Sequence, residues 1–166
     1  FNKVFRRSNL LTLIDAIDPA ILNSRISVKL QNGFVPTLNQ SLQYTISFPS
    51  IIASPDDVNF RVTTSKFIFN DQSCFIRNKL STQDLEVIGV DGTVVADNIG
   101  NYTPASGEVN LIGFKPSSFE GSEIKVSVVP ANESTVRPLR NFILDIDTDA
   151  SVSVALLDFQ NTVNTL

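Results

Sequence analysis

The sequence predicts a mainly β (α+β) chain: a short N-terminal helical arm followed by a β-sandwich-like or open-barrel-like domain. Three observations carry that reading. Apolar residues recur at helical spacing only near the start, at Leu10, Leu11, Ile14 and Ile17. From Arg25 onward apolar and polar residues alternate at period two, as on half-buried strands. Clusters of Gly, Pro, Asn and Asp then interrupt the chain at short intervals, the rhythm of many short strands. The division is a helical arm over residues 1–24 and a β-rich domain over 25–166.

In the arm, Ser8 is suited to cap a helix whose apolar stripe is Leu10/Leu11/Ile14/Ile17. Asp18-Pro19 breaks the run, because a residue before proline is pushed out of the α region. Pro19 also suits the first position of a second short helix over 19–24. Ile26, Val28 and Leu30 then predict a strand ended by Gly33 and Pro36, and Leu42, Tyr44, Ile46 and Phe48 predict another.

Ser54-Pro55-Asp56-Asp57 reads as a turn, and the stretch around 49–57 as the softest seam in the domain. Strands follow at Phe60/Val62 and Phe67–Phe69, with a hairpin turn in Asn70–Ser73 before Cys74-Phe75-Ile76. Asp91-Gly92, between two apolar-rich runs, predicts a type I′ hairpin. Further turns are expected at 98–107, 115–121 and 130–138, and strands at 108–114, 123–129, 141–147 and 151–157.

Composition narrows the function. Hydrophobic residues are 42% of the 166 and charged ones 18%, so the chain can build a core and is not a disordered tail. The net charge is −4 with basic residues scattered, which offers nucleic acid no concentrated basic face. No run approaches the ~20 apolar residues of a membrane span. There is no Met, and the chain opens at Phe1, so the expectation is a segment of a longer protein. One Cys, Cys74, cannot form an internal disulfide and is expected to be a buried, inert thiol made in a reducing cytoplasm.

No histidine is present, which removes the commonest general base and metal ligand, and no enzyme activity, metal or cofactor is expected. Asp145, Asp147 and Asp149 have calcium-like spacing, but an EF-hand loop would need Gly and Glu where Ala150 and Leu156 stand. Asp56 and Asp57 are simpler as turn formers than as an acid–base pair. Ser65-Lys66 are neighbours facing opposite sides of an extended run, unsuited to nucleophile and base. Gly100, Gly107 and Gly113 lack phosphate-loop spacing. Arg6-Arg7 is a small basic pair, read either as solvation of the helix start or as an ion-pair site for a neighbouring subunit.

Several strings carry a resemblance. Phe5–Leu11, Ile14–Arg25, Phe34–Leu42, Ile76–Leu80, Asp97–Tyr102, Val128–Thr135 and Pro138–Arg140, in order from about Val4 to Asp158, resemble a baseplate wedge protein of T-even-like contractile phages, including cyanophages. The resemblance implies the C-terminal portion of a longer, baseplate J-like protein. It implies a homodimer that joins neighbouring wedges into the baseplate ring, with other wedge proteins as partners. It implies no nucleic acid, membrane or small-molecule substrate, and a location in the virion after assembly in the host cytoplasm. The interface residues expected are Leu10, Leu11, Ile14 and Ile17, with Arg6 and Arg7 beside them. The alternative is a β-sandwich receptor- or carbohydrate-binding module of a phage or bacterial surface protein. The absence of Trp and the presence of only Tyr44 and Tyr102 as polar aromatics weigh against it.

Overall fold

A computed structural model of the chain describes residues 7–17 and 27–133. Helix α1 is Arg7–Asp15. Ten strands follow: β1 Leu30–Phe34, β2 Leu42–Ser47, β3 Val62–Thr64, β4 Phe67–Phe69, β5 Gln72–Asn78, β6 Asp84–Gly89, β7 Val94–Thr103, β8 Glu108–Phe114, β9 Ser118–Phe119 and β10 Ile124–Val128. The chain is mainly β, as expected, and its strands form one nearly closed, barrel-like sheet rather than two stacked sheets.

The strand order is β1-β10-β3-β5-β6-β7-β8-β2, with antiparallel pairing throughout. β3 and β4 are two halves of a strand bent at Ser65-Lys66, and both pair with β5. β3 also pairs with β10, whereas β4 pairs with β9. The end strands β1 and β2 approach each other without a backbone ladder. Side chains bridge them instead: the Phe34 and Tyr44 rings lie 5.2 Å apart. The Asn32 carboxamide donates to the Ser47 carbonyl at 3.1 Å. The Tyr44 hydroxyl accepts from the Thr37 N–H at 2.9 Å.

Period-two patterning accounts for the interior. Cys74, Ile76 and Asn78 of β5 face inward, as do Val109 and Leu111 of β8 and Ile124, Val126 and Val128 of β10, while Phe114 joins them three residues after Leu111, across the register shift against β2. Phe34, Tyr44, Phe67, Phe69 and Phe114 form an aromatic cluster, with Phe67 edge-on to Phe114 at 5.0 Å. Each fully buried ring contributes roughly 2 to 3 kcal/mol of transfer free energy, with about 1 kcal/mol more for good ring geometry.

Several sequence expectations need correction. The helix starts at Arg7, so Ser8 lies in its first turn, where its carbonyl accepts the Thr12 hydroxyl at 2.9 Å. The first described strand is Leu30–Phe34, residues 27–29 ahead of it are not strand, Ile26 lies outside the described residues, and Gly33 lies inside the strand. Pairing with β10, from Leu30 opposite Val128 to Phe34 opposite Ile124, overrides the local alternation. Gly33 fits because the Glu123 carboxylate occupies the space a Cβ would need.

The expected turn over 98–107 is mostly strand, because β7 runs to Thr103. Its turn-like Gly100 adopts φ +139°, beside a register shift against β6, and packs against the β8 backbone at Asn110 where no side chain fits. The expected seam near 49–57 is stitched to the body. Ile52 is buried and its N–H donates to the Pro104 carbonyl at 3.0 Å, while Ala53 N–H donates to the Val129 carbonyl at 2.8 Å. The expected turn over 115–121 contains β9.

The Asp91-Gly92 hairpin exists with a different turn. Gly89 donates to the Thr93 carbonyl at 2.8 Å and accepts from Gly92 at 2.9 Å, and only Gly92, at φ +87°, is left-handed. That is a three-residue loop, a type I turn closed by a glycine bulge. The type I′ geometry is instead at Asn70 and Asp71, with φ of 49° and 60°, between paired Phe69 and Gln72. The second helix over 19–24 and the strands over 141–147 and 151–157 lie outside the described residues.

Candidate functional site

The residues expected to meet a partner sit on α1. Its last turn is closed by Ala16 N–H donating to Thr12 at 3.1 Å and Ile17 N–H donating to Ile14 at 3.0 Å. Leu10 and Ile17 are exposed, Ile17 at 75%, while Leu11 and Ile14 are half-buried. Leu13, 67% exposed, joins the same open face, three residues after Leu10 and four before Ile17. Its spacing was readable in the sequence, yet the stripe built on Leu10, Leu11, Ile14 and Ile17 passed over it. Arg7 opens the helix, and Arg6 lies outside the described residues. A helix of nine residues is too short to hold itself in water, so packing of its apolar face is what would stabilise it.

Elsewhere among the described residues, Asp56 and Ser65 make structural hydrogen bonds. The Asp56 carboxylate accepts from the backbone N–H groups of Asn59 at 2.6 Å and Val58 at 2.7 Å, and pairs with Arg61. Those backbone donors, with the Asn59 side chain and Arg61, lower its pKa to about 2. Asp57 is exposed. The Ser65 hydroxyl accepts the Lys125 N–H at 3.0 Å, so it ties β10 to the bend between β3 and β4. Cys74 is buried, and desolvation pushes its thiol pKa up, away from a reactive thiolate.

Arg77 and Glu86 form a cross-strand ion pair at 2.9 Å between β5 and β6, and the guanidinium lies 4.4 Å over the Phe60 ring. Sequence reading missed this trio, although Arg77 and Glu86 stand on adjacent strands. The aromatic hydroxyls are committed as well: Tyr102 is fully buried and Tyr44 is half-buried against Phe34 and Phe114. The calcium-like triplet at 145–149 lies outside the described residues. Among the described residues no group of three or more His, Cys, Asp or Glu side chains is placed to hold a metal, and no helix is long and apolar enough to cross a membrane.

The chain matches no protein-family model, no curated protein and no solved structure. Among the described residues, α1 presents Leu10, Leu13 and Ile17 as an exposed apolar face.

Proposed function

We propose that the chain is a structural piece of a contractile phage tail baseplate, joining neighbouring wedges into the ring through protein–protein contacts and performing no catalysis. The observation that carries this reading is the ordered series of strings from Val4 to Asp158 that resembles the wedge family. The exposed Leu10, Leu13 and Ile17 supply the mode of contact: an apolar helix face that a second copy would cover as a homodimer. The Asp56, Ser65 and Arg77 networks support a mechanical role, since they fix the turn at 56–59, tie β10 to the bend between β3 and β4, and pair β5 with β6. The carbohydrate-binding alternative loses ground because neither tyrosine offers an open ring for a sugar to stack on.

Analytical ultracentrifugation of the whole chain tests the proposal. A dimer that Leu13→Ser plus Ile17→Ser converts to monomer is the expected result, together with binding to the other wedge proteins. A strictly monomeric species at high concentration that binds no wedge protein overturns it.

A further inference from the structure

The seam between β1 and β2 holds the sequence's one Asn-Gly step, Asn32-Gly33. Lys125, opposite Gly33, directs both its backbone groups away from β1: its N–H donates to the Ser65 hydroxyl at 3.0 Å, and its carbonyl accepts from the Ser65 N–H at 2.8 Å. Backbone directions alternate along an antiparallel strand, so Asn32 and Phe34 bond to β10, while Gly33 turns its N–H to the free edge. Asn32 is solvent-exposed, and its carboxamide is a side-chain bridge across that edge, donating to the Ser47 carbonyl at 3.1 Å.

We propose that Asn32-Gly33 is a spontaneous deamidation site whose conversion unlocks the barrel seam. The reaction needs only water. The Gly33 amide nitrogen, losing its proton to hydroxide, attacks the Asn32 side-chain carbonyl carbon. The bond to the side-chain nitrogen breaks and ammonia leaves, giving a five-membered succinimide. Water then opens the ring at either carbonyl, to aspartate or isoaspartate. Glycine is the least hindered residue on the nucleophile's side, and no ladder bond holds the Gly33 N–H.

The product cannot do what Asn32 does. An ionised carboxylate has no proton to donate to the Ser47 carbonyl. It also places a negative charge against that same carbonyl oxygen, turning an attraction across the seam into a repulsion. Isoaspartate adds a methylene to the main chain and shifts the register that pairs β1 with β10. This inference stands independently of the proposed function.

The test is ageing of the folded chain at mildly alkaline pH, read by peptide mass spectrometry, beside the same chain in urea. Residue 32 is expected to convert at no less than about a tenth of its rate in urea, as for a segment with a low local opening cost. Asn32→Gln, which would have to close a slower six-membered ring, is expected not to convert. In Asn32→Asp, hydrogen exchange of β1 and β2 is expected to quicken about fivefold, the effect of one lost hydrogen bond. If Asn32→Asp does not fold, the deamidated fraction isolated from aged protein serves for that measurement. Conversion in urea but not in the folded chain overturns the site. Unchanged exchange in β1 and β2 overturns its coupling to the seam.

Discussion

The carboxamide oxygen of Asn78, at the end of β5, accepts the backbone N–H of Arg61 at 2.6 Å, and that of Val62 at 3.0 Å. Asn78 is fully buried, and its own N–H₂ donates to the Lys79 carbonyl at 2.8 Å. One side chain thus replaces the ladder where β3 begins beside β5. Asn78→Ala leaves the buried Val62 N–H and the part-buried Arg61 N–H without their acceptor, at about 1 to 3 kcal/mol for a fully buried group and less for a part-buried one. The expected loss is about 3 kcal/mol, read from the urea midpoint at unchanged slope. Thr45→Ala, which removes an exposed hydroxyl bonded to Asn110, is expected to cost about 0.5 kcal/mol or less.

Asn78 also shows how far the sequence could be read. Its alternation with Cys74 and Ile76 places it on the inner face, so a buried polar residue was legible there. Its partners were not, because they lie 16 and 17 residues back and depend on how the bent β3–β4 strand docks. The same limit moved β1 onto Leu30–Phe34, since its register is fixed by β10, nearly a hundred residues away. At the N-terminus, the helical period marked α1 as a helix, and exposure then added Leu13 to its apolar face. Helix periodicity is local and pairing is not, which is why one was readable and the other was not.

The β6–β7 hairpin separates two kinds of turn by experiment. Gly92 holds φ +87° with open space around its missing Cβ, so the penalty for a side chain there is conformational and not steric crowding. Gly92→Val is expected to cost about 1 kcal/mol or more, because a β-branched residue is disfavoured at positive φ. Gly92→Asn is expected to cost less, as Asn tolerates that region. The Asp91 carboxylate accepts from the Thr93 N–H at 3.0 Å and from the Thr93 hydroxyl at 2.7 Å, and Asp91→Val loses both bonds. That substitution is not expected to incur the positive-φ penalty, which a type I′ turn would impose. Thermal denaturation of the three variants ranks these effects.

Acid tests the Asp56 loop. Its folded pKa is lowered from 3.8 to about 2, chiefly by the Asn59 and Val58 N–H groups. A lowered carboxylate pKa means its stabilisation is complete above the unfolded value and is lost as pH falls through the folded one. Wild-type stability is therefore expected to decline between about pH 4 and pH 2. Asp91, lowered by Thr93, adds to the same decline. Asp56→Asn should flatten part of the slope in that window and leave the slope above it unchanged. Denaturant melts at stepped pH make the comparison.

Alkali probes the opposite group. Tyr102, buried on β7, has its pKa pushed up from 10.0 to about 12 because burial disfavours the phenolate. Its hydroxyl points to the Ala53 carbonyl at 3.4 Å, in the segment that closes one end of the barrel. A raised phenol pKa means the neutral form is favoured by folding, so the stabilisation is complete below the unfolded value and is lost as pH climbs toward the folded one. The chain is expected to weaken from about pH 10 upward, and Tyr102→Phe to remove that tyrosine's share of the loss. At neutral pH Tyr102→Phe gives up one long hydrogen bond and keeps the ring's packing, for an expected cost of about 1 kcal/mol or less. An alkaline transition identical in the two proteins, followed by tyrosinate absorbance, would place the ionising group elsewhere.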